Sequence, residues 1–423
     1  QMKDITVVIY DKGEAEWVSC QVIKENLLAC YKKNSIIELN LSSKTTNCEI
    51  LALYDKIKEI QPKRVLFLDG VPHPHKIIPL FNTSDFNHLP DLVFHIYGDF
   101  TIKTHLWKKI EDKLLDYKCL FLCASDKQVS LIKKLIKSSE LLVTKCPFAV
   151  DESSFSNIPD LRERTRKKLG HSEDEFILIY TGRLSEQKNI HRLIHYFNYL
   201  VSTFDINAHL YLVGDFDDLA TPFIGKYSAD FFYFHYIMDL IENTSKKVSE
   251  SIHLTGKQGR QELLALYNAA DLFVSFSVHN DEDFGMSPIE ALCTGLPAII
   301  TDWGGYAGFE SKYCELIKTK IESENIKVNI ATAVKKTLKY ISEKPSRQEI
   351  ADLYHERFGV EAVQKSLWKN LRATEFYGFT KEFESVTNAF KDRPLAPFLA
   401  DSPLPSTHLF NNLYKRLYSS YES

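Results

Sequence analysis

The chain has 423 residues, of which 44% are hydrophobic and 12% aromatic, and its formal net charge is −4. This length predicts two domains, and the composition excludes both a disordered chain and a strongly basic nucleic-acid-binding protein. No apolar run reaches the roughly 18 residues that a membrane-spanning helix needs, and the first residues have a strand pattern instead of a signal-peptide pattern. The eight cysteines show no C-x-x-C and no paired Cys/His spacing, so we expect reduced thiols in a cytoplasmic protein.

In the first half of the chain, short apolar runs rich in β-formers alternate with amphipathic helical stretches. The predicted strands are Ile5–Tyr10, Ile36–Leu41, Val65–Asp69, Leu92–Tyr97 and Leu120–Ala124. The predicted helices are Ala15–Lys32, Ile50–Ile60 and Lys127–Ile136. This alternation predicts a parallel, doubly wound α/β sheet. Such sheets bind ligands at the carboxyl ends of their strands, so the loops after the strands are the candidate binding loops.

Two of these loops contain candidate site residues. Gly13 follows the first predicted strand, where a lone glycine usually serves backbone geometry. His95 lies at the end of the fourth predicted strand, and it is either a hydrogen-bonded core residue or a group that faces a ligand. His73 and His75 lie in a proline-containing loop and are weaker candidates. These histidines lack a recognisable metal-ligand spacing.

The segment 101–145 is basic, with ten lysines against five acidic residues, a net charge of 10 − 5 = +5. Its two predicted helices display lysines, and the first contains Trp107. A charged run of this kind is usually a solvated face. The alternative is peripheral attachment to an anionic membrane surface, where a lipid-linked acceptor would be found.

In the second half, a buried strand over Phe176–Tyr180 precedes a predicted helix over Ile190–Val201. Arg183 and Lys188 lie between them, close to a helix N-terminus, which favours anions. Each of these residues alone is typical of a surface ion pair or a solvated helix start. Together they offer a planar fork and a compact charge, both suited to phosphate.

A second strand, loop and helix run from Asp271 to Gly295. Glu282 lies in the predicted loop, and Glu290 lies in the first turn of a helix that we expect to open at Ser287-Pro288. The pattern Ser287-x-x-Glu290 is also that of a capping box. The backbone N–H groups of residues 284–287 lie at this helix start, where phosphate and sugar oxygens are often held.

These motifs resemble those of retaining GT-B glycosyltransferases of the GT4-like group. The resemblance rests on Glu282-x7-Glu290 with the following residues 291–297 and Gly304-Gly305, and it extends upstream to residues 180–183, 212–215 and 254–256. It covers about residues 140–310. The implied fold is α/β, with two Rossmann-like doubly wound domains that face a central cleft. We expect an acceptor domain over 1–157, a donor domain over 158–356, and a crossover helix with a C-terminal tail over 357–423.

The resemblance also implies a function and a site. It implies a retaining, metal-independent hexosyltransferase-like enzyme of polysaccharide biosynthesis that moves a sugar from a nucleotide diphosphate sugar to a glycan, lipid-linked or protein acceptor. The implied catalytic residues are His95, facing the transferred sugar, and Glu282, binding its hydroxyls. The implied donor-binding residues are Arg183, Lys188, Phe284, Gly285, Met286, Ser287, Glu290 and Gly13. We expect no cofactor, no metal and no nucleic-acid partner, with the protein in the cytoplasm, free or peripheral on the inner face of the membrane.

Two other functions remain open. The D-x-D strings Asp215–Asp217 and Asp281–Asp283 are typical of metal-dependent glycosyltransferases. A non-catalytic, glycosyltransferase-like partner subunit is the other alternative, since the Gly13 turn holds one glycine where the family has several. The aromatic residues of 231–236 form either core or an acceptor platform. A tail with several prolines follows residue 374 and ends in a candidate helix, Leu413–Tyr421.

Overall fold

The computed structural model describes residues 4–15, 18–32, 35–42, 44–98, 100–136, 143–217, 232–280, 282–322, 325–373, 383 and 414–423. Several predictions fall wholly or partly outside these residues: residues 16–17 of the first predicted helix, Asp281 of the second D-x-D string, Phe231 and the side chain of Phe232, residues 137–142 of the basic segment, and most of the tail after residue 374. The described residues form two compact units, 4–149 with 360–383, and 150–359 with 414–423.

The first unit contains one parallel sheet, with six strands among its described residues and the order β2-β1-β3-β4-β5-β6. The strands are β1 Thr6–Asp11, β2 Ile36–Leu41, β3 Arg64–Phe67, β4 Asp91–His95, β5 Cys119–Cys123 and β6 Val143–Lys145. The middle strands β3, β4 and β5 are almost wholly buried, as expected for strands that are covered on both faces. Strands β1 to β5 agree with the five predicted strands to within a few residues, whereas β6 was not predicted.

Helices cover this sheet. They are α1 Val18–Tyr31, α2 Asn47–Ile60, α3 Thr104–Lys108, α4 Glu111–Leu114, α5 Asp126–Leu135 and, from the later part of the chain, α14 Val360–Arg372. Helix α14 packs against α1, where the Trp368 indole N–H donates to the carbonyl of Cys30 at 3.2 Å. In the basic segment, Trp107 is buried against Phe94 and Phe121. Its ring is therefore part of the core and unavailable for insertion into a membrane.

The second unit contains a further parallel sheet, with six strands among the described residues and the order β12-β11-β10-β7-β8-β9. Its strands are β7 Phe176–Thr181, β8 Ala208–Val213, β9 Ile252–Gly256, β10 Leu272–Ser275, β11 Ala298–Thr301 and β12 Cys314–Ile317. An antiparallel hairpin, β13 Thr319–Glu322 and β14 Asn325–Val328, follows. The two sheets confirm the predicted doubly wound α/β fold.

The helices of the second unit alternate with these strands. They are α6 Pro159–Leu169, α7 Ile190–Phe204, α8 Phe232–Glu242, α9 Lys246–Ser249, α10 Arg260–Ala269, α11 Met286–Cys293, α12 Ile330–Glu343, α13 Arg347–Phe358 and a C-terminal α15, Lys415–Tyr418. The apolar face of α7, with Leu193 and Phe197, packs with Leu210 and Leu212 of β8 in the core. Tyr233 of α8 lies in this cluster too, whereas Tyr236 is 40% exposed.

The units divide between Ala149 and Val150, whereas the predicted boundary is 157/158. The backbone N–H of Val150 donates to the carbonyl of Phe358 at 2.8 Å, so the chain joins the second unit at this residue. Helix α13 ends at Phe358 with Gly359 as its C-cap residue, and α14 begins at Val360, inside the region where a crossover helix was expected. Among the described residues, no helix combines the length and apolar character needed to cross a membrane.

Candidate active site

The segments that follow β7 and β8 run side by side in direct contact, with a parallel bridge between Leu184 and Phe216. Gly182 and Gly214 have φ values of +140° and +148°, and a Cβ atom on Gly214 would lie 1.9 Å from the carbonyl oxygen of Gly182. Only glycine permits this approach and these backbone angles. This parallel contact brings Asp217 to Arg183, whose guanidinium Nη1 lies 3.1 Å from the Asp217 carboxylate.

Lys188 and Glu282, predicted for different parts of a ligand, contact each other directly. The Lys188 Nζ lies 2.5 Å from Glu282 Oε2, and the Ser277 hydroxyl donates to the same oxygen at 2.5 Å. Both charged side chains are nearly buried, at 13% and 10% exposure. Lys188 ends a short 3₁₀ turn before α7, with Asn189 as the N-cap residue. Lys188 and Glu282 therefore place a positive and a negative charge in direct contact. Ser277, which supports this contact, was not predicted from the sequence.

His279 lies next to this pair and was not predicted. Its Nδ1 is 2.8 Å from the Gln187 side-chain oxygen, and its carbonyl accepts from the Trp303 indole at 2.8 Å. Burial, together with the positive charges of Lys188 and Arg183, holds the pKa of His279 well below its ordinary value, so the imidazole is neutral. The strand-end rule that selected His95 also applies to His279, which follows β10, and could have found it.

Helix α11 begins earlier than predicted. Its N-cap is Gly285, with φ +105°, and a Cβ atom there would lie 2.6 Å from the Tyr306 ring. Ser287 and Pro288 are thus the second and third helical residues, and no side chain caps this helix. The capping-box interpretation is wrong, because the left-handed glycine starts the helix before the serine. The first-turn N–H groups, including those of Met286 and Ser287, lack intrahelical acceptors and suit an anion.

Glu290 is consequently in the second turn of α11, not the first. It is 8% exposed, and burial raises the pKa of its carboxyl group to about 8, although Arg260 and the Tyr267 hydroxyl act in the opposite direction. The Tyr267 hydroxyl is also 2.6 Å from the Thr181 Oγ1 at the end of β7. At neutral pH most Glu290 carboxyl groups carry a proton, so they can both donate to and accept from a ligand hydroxyl.

The C-terminal residues dock on the loop that carries Glu282 and Phe284. The Tyr421 hydroxyl donates to the Asp283 carboxylate, and the Tyr421 carbonyl accepts from the Gly304 N–H at 3.0 Å. The N–H of Gly305 donates to the Glu282 carbonyl at 2.7 Å. Tyr421 is fully buried. The loop is thereby held on both sides, and no sequence pattern in the tail signalled this role.

The D-x-D aspartates that the structure describes are engaged in loop contacts. Asp215 Oδ1 accepts from the Lys257 N–H at 3.1 Å, and Asp217 pairs with Arg183. Asp283 accepts from Tyr421. These contacts account for the carboxylates as parts of the loop framework.

The remaining predicted residues, Gly13 and His95, belong to the first unit. The Gly13 N–H donates to Asp11 Oδ1 at 2.7 Å, and the buried Lys24 ammonium donates to the carbonyls of Asp11 and Gly13 at 2.8 and 2.6 Å. His95 is 2.6 Å from the Tyr31 hydroxyl, and burial lowers the pKa of its imidazole to about 3. It is a buried, neutral, hydrogen-bonded histidine, as one of the two interpretations expected.

Asp69 is a further group at this edge of the first sheet. It accepts from the Asp11 and Val71 N–H groups, both at 3.3 Å, and burial raises the pKa of its carboxyl group to about 7. The protonation of Asp69 therefore changes near neutral pH.

The weaker candidates His73 and His75 lie in the loop that follows β3. Their Nδ1 atoms are 3.0 Å apart.

The comparisons with known proteins define the class. The family described as "Glycosyl transferases group 1" matches residues 162–351, which lie within the second unit. Solved structures of a glycosyltransferase from Rickettsia africae and of the glycosyltransferase WaaG match the α/β fold over most of the chain. The protein is a glycosyltransferase enzyme with the GT-B fold, which confirms the predicted fold and enzyme class.

Particular relatives are distant. Lipopolysaccharide 1,2-N-acetylglucosaminetransferase of Salmonella typhimurium is 22% identical over 296 residues, 67% of this chain and 73% of the relative. Alpha-monoglucosyldiacylglycerol synthase of Acholeplasma laidlawii is 24% identical over 254 residues, 59% of this chain and 54% of the relative. The crystal structure of Anabaena HepE in complex with UDP-glucose has a TM-score of 0.61 and 14% identity, covering 87% of this chain and 99% of that chain.

Proposed function

We propose that the protein is a retaining, metal-independent glycosyltransferase of the GT4-like group, with a nucleotide diphosphate sugar as donor. The observation that carries this proposal is the nearly buried contact between Lys188 and Glu282 in the second unit, beside His279, whose pKa the charges of Lys188 and Arg183 both lower. The Anabaena neighbour, described in complex with UDP-glucose, supports a donor of this class.

The leaving diphosphate gains negative charge as the sugar departs, and fixed positive groups stabilise that charge. Arg183, Lys188 and the first-turn N–H groups of α11 are those groups. Lys188 is shared: without donor it neutralises Glu282, and with donor it turns part of its charge to the phosphate. Because the protein already removes much of the water around these two cations, they give up less hydration free energy on binding phosphate than fully solvated lysines would. These groups supply the charge that a metal ion supplies in D-x-D enzymes.

The two glutamates position the donor and do not act as a hydrolase-style acid/base pair. We assign the ribose hydroxyls to Glu290, whose carboxyl group is mostly protonated and can make bonds of both polarities. We assign hydroxyls of the transferred sugar to Glu282, which Lys188 and Ser277 hold in place. Neutral His279, beside Lys188, is available to the same sugar or to the diphosphate.

The retaining outcome follows from the roles of these groups. An inverting transferase needs a protein base on the face opposite the leaving phosphate. Glu282 and Glu290 are assigned to the donor, so we propose that the leaving phosphate itself takes the acceptor's proton on the attacked face. The role of His95, which belongs to the first unit, toward the transferred sugar stays a prediction. The acceptor is a glycan, a lipid-linked sugar or a protein, and the cytoplasmic location and the peripheral membrane contact through segment 101–145 stay predictions.

The test is a donor panel followed by product analysis. UDP-, GDP- and ADP-sugars are first ranked by thermal shift, since a tight donor stabilises the fold by mass action. NMR of the early product from the best donor then reports the anomeric configuration, for which we expect that of the donor. An inverted centre would reject the mechanism. Activity that EDTA abolishes and Mn²⁺ or Mg²⁺ restores would favour the D-x-D alternative, and donor binding without transfer or donor hydrolysis would favour the non-catalytic subunit.

A further inference from the structure

Three histidines that are distant in sequence lie close together at the amino ends of the strands of the second sheet. The candidate active site lies at the opposite, carboxyl ends. One side-chain nitrogen from each of His171, His209 and His253 lies within 4.8 Å of the other two. His209 is the second residue of β8 and His253 the second residue of β9, so both lie at the amino ends of their strands. Val213, at the carboxyl end of β8, is four residues or roughly 13 Å farther along the strand.

The sheet register creates this cluster. Tyr211 of β8 is paired directly with His253 of β9, and His209 lies on the same face of β8 as Tyr211. Leu210 and Leu212 point to the other face, into the hydrophobic core. His171 comes from the segment that leads into β7, the other neighbour of β8. The cluster thus connects the segment before β7 to β8 and to β9, which is the last strand at one side of the sheet.

The nitrogen atoms face one another in a way that suits a metal ion. His209 Nδ1 is 3.0 Å from His253 Nε2, and the rings of His171 and His209 have centroids 4.2 Å apart. Ligand nitrogens around a tetrahedral Zn²⁺ ion are roughly 3.4 Å apart, since each Zn–N bond is about 2.0–2.1 Å. Side-chain shifts of about 1.5 Å or less would bring all three nitrogens to that spacing.

The surroundings fix which nitrogens are available. Glu175 Oε1 is 3.0 Å from His209 Nε2, so the carboxylate favours the tautomer in which Nε2–H donates to it and the Nδ1 lone pair faces His253. A carboxylate that orients a histidine in this way is the usual outer partner of a zinc ligand. The Tyr211 hydroxyl occupies His171 Nε2 at 2.6 Å. Among the described residues, the buried His171 Nδ1 has no hydrogen-bond partner, and Glu175 Oε2 is 3.5 Å from it.

We propose that His171, His209 and His253 form a binding site for a divalent metal of the zinc class, with Glu175 as the orienting carboxylate or fourth ligand. Imidazole nitrogens with one carboxylate suit Zn²⁺ and its first-row neighbours. The ion would tie the segment before β7 to β8 and to edge strand β9, so its role is structural. The site lies outside the proposed catalytic machinery and does not depend on the proposed function. Without a metal, the same groups form a hydrogen-bonded histidine network in which His253 Nε2 donates to His209 Nδ1.

The test uses the full chain without a histidine tag, treated with EDTA and then desalted. Isothermal titration with Zn²⁺ alone and elemental analysis after desalting should give one ion per chain, and Zn²⁺ should raise the Tm of unfolding. Co²⁺ in place of Zn²⁺ should give the visible absorption of a tetrahedral nitrogen/oxygen site. The double variant His209→Asn/His253→Gln should lose this binding. Glu175→Gln should weaken it by about 10- to 100-fold.

The matched control is His195→Gln, because His195 is an exposed histidine on α7. It should bind Zn²⁺ like the wild type. Circular dichroism checks that the double variant folds, and if it does not, the single variants His253→Gln and Glu175→Gln carry the comparison. A wild-type chain that binds no Zn²⁺ would overturn the proposal. Zn²⁺ bound equally well by the folded double variant would overturn it too, by placing the ion elsewhere.

Discussion

The two sheets share a parallel α/β architecture, but the charged groups at the carboxyl ends of their strands are used differently. In the first unit, the Lys24 ammonium is 5% exposed and donates to two backbone carbonyls. In the second unit, Lys188 and Arg183 pair with the carboxylates of Glu282 and Asp217. A lysine enclosed by backbone carbonyls braces a loop. A cation held by a carboxylate can exchange that partner for a phosphate, and for this reason we propose that the donor binds at the carboxyl ends of the strands of the second sheet.

We expect the largest change in activity from substitution of the two cations of the second unit. Arg183→Ala and Lys188→Ala should each lower kcat/KM by about 2–4 kcal/mol, or roughly 30- to 800-fold, because each removes a charge that stabilises the leaving diphosphate. Steady-state kinetics with the best donor measures this. Lys246→Ala, at a side chain that is 87% exposed, is the control. Activity within a few-fold of wild type in either variant would contradict the assignment.

The next effect concerns the protonation of Glu290. The pKa of its carboxyl group is about 8 in the folded chain and 4.5 without perturbation. The folded state therefore binds the proton more tightly, so this group's contribution to stability is complete below pH 4.5 and is lost as the pH rises through 8. Between these values the free energy of unfolding should fall by about 1.4 kcal/mol per pH unit relative to Glu290→Gln, whose amide does not titrate.

Denaturant unfolding of both proteins at several pH values measures this difference. Glu343→Gln, on the exposed end of α12, serves as a control whose pH profile should match the wild type. Parallel pH profiles for wild type and Glu290→Gln would show that Glu290 is already ionised at neutral pH, and the ribose assignment would then lose its two-way hydrogen bonding.

Lys24→Met tests whether the buried lysine of the first unit has a structural role only. It leaves the carbonyls of Asp11 and Gly13 without their donor, and we expect a loss of about 2 kcal/mol in stability. We expect an unchanged KM for the donor, since the cations and carboxylates that we propose to bind it belong to the second unit. A raised KM would instead support the predicted donor role of Gly13. Thermal unfolding and donor kinetics are the two measurements, and exposed Lys56→Met is the control. A raised donor KM with unchanged stability would show that Lys24 contributes to donor binding and not to the stability of the loop.

The smallest effect is at the C-terminal residues. Tyr421→Phe removes the hydroxyl that bonds Asp283, next to Glu282, while keeping the buried ring. We expect a loss of about 1 kcal/mol, near fivefold in kcat/KM, with the donor KM raised more than kcat is lowered. Tyr199→Phe, at a ring that is 50% exposed, is the control. Wild-type kinetics in Tyr421→Phe would limit this residue to packing.

Local patterns in the sequence predicted the sheet of the first unit, because burial of a strand or a helix face depends on spacing along the chain. The second sheet was implied by the resemblance of the motifs to a known family. The strand, loop and helix patterns around Arg183, Lys188 and Glu282 predicted that these residues follow strands, and the structure describes them there. The match of residues 162–351 to a glycosyltransferase family agrees with the motifs that suggested it.

Only the tertiary structure decided which groups contact each other and in what state. The Lys188–Glu282 pair spans 94 positions, and Tyr421 reaches Asp283 across 138. The histidines at 171, 209 and 253 meet only because β8 lies between β7 and β9. The protonation of Glu290 depends on burial, and the start of α11 depends on a left-handed Gly285 packed against Tyr306. Such contacts arise from strand order and register, whereas sequence patterns report spacing between near neighbours.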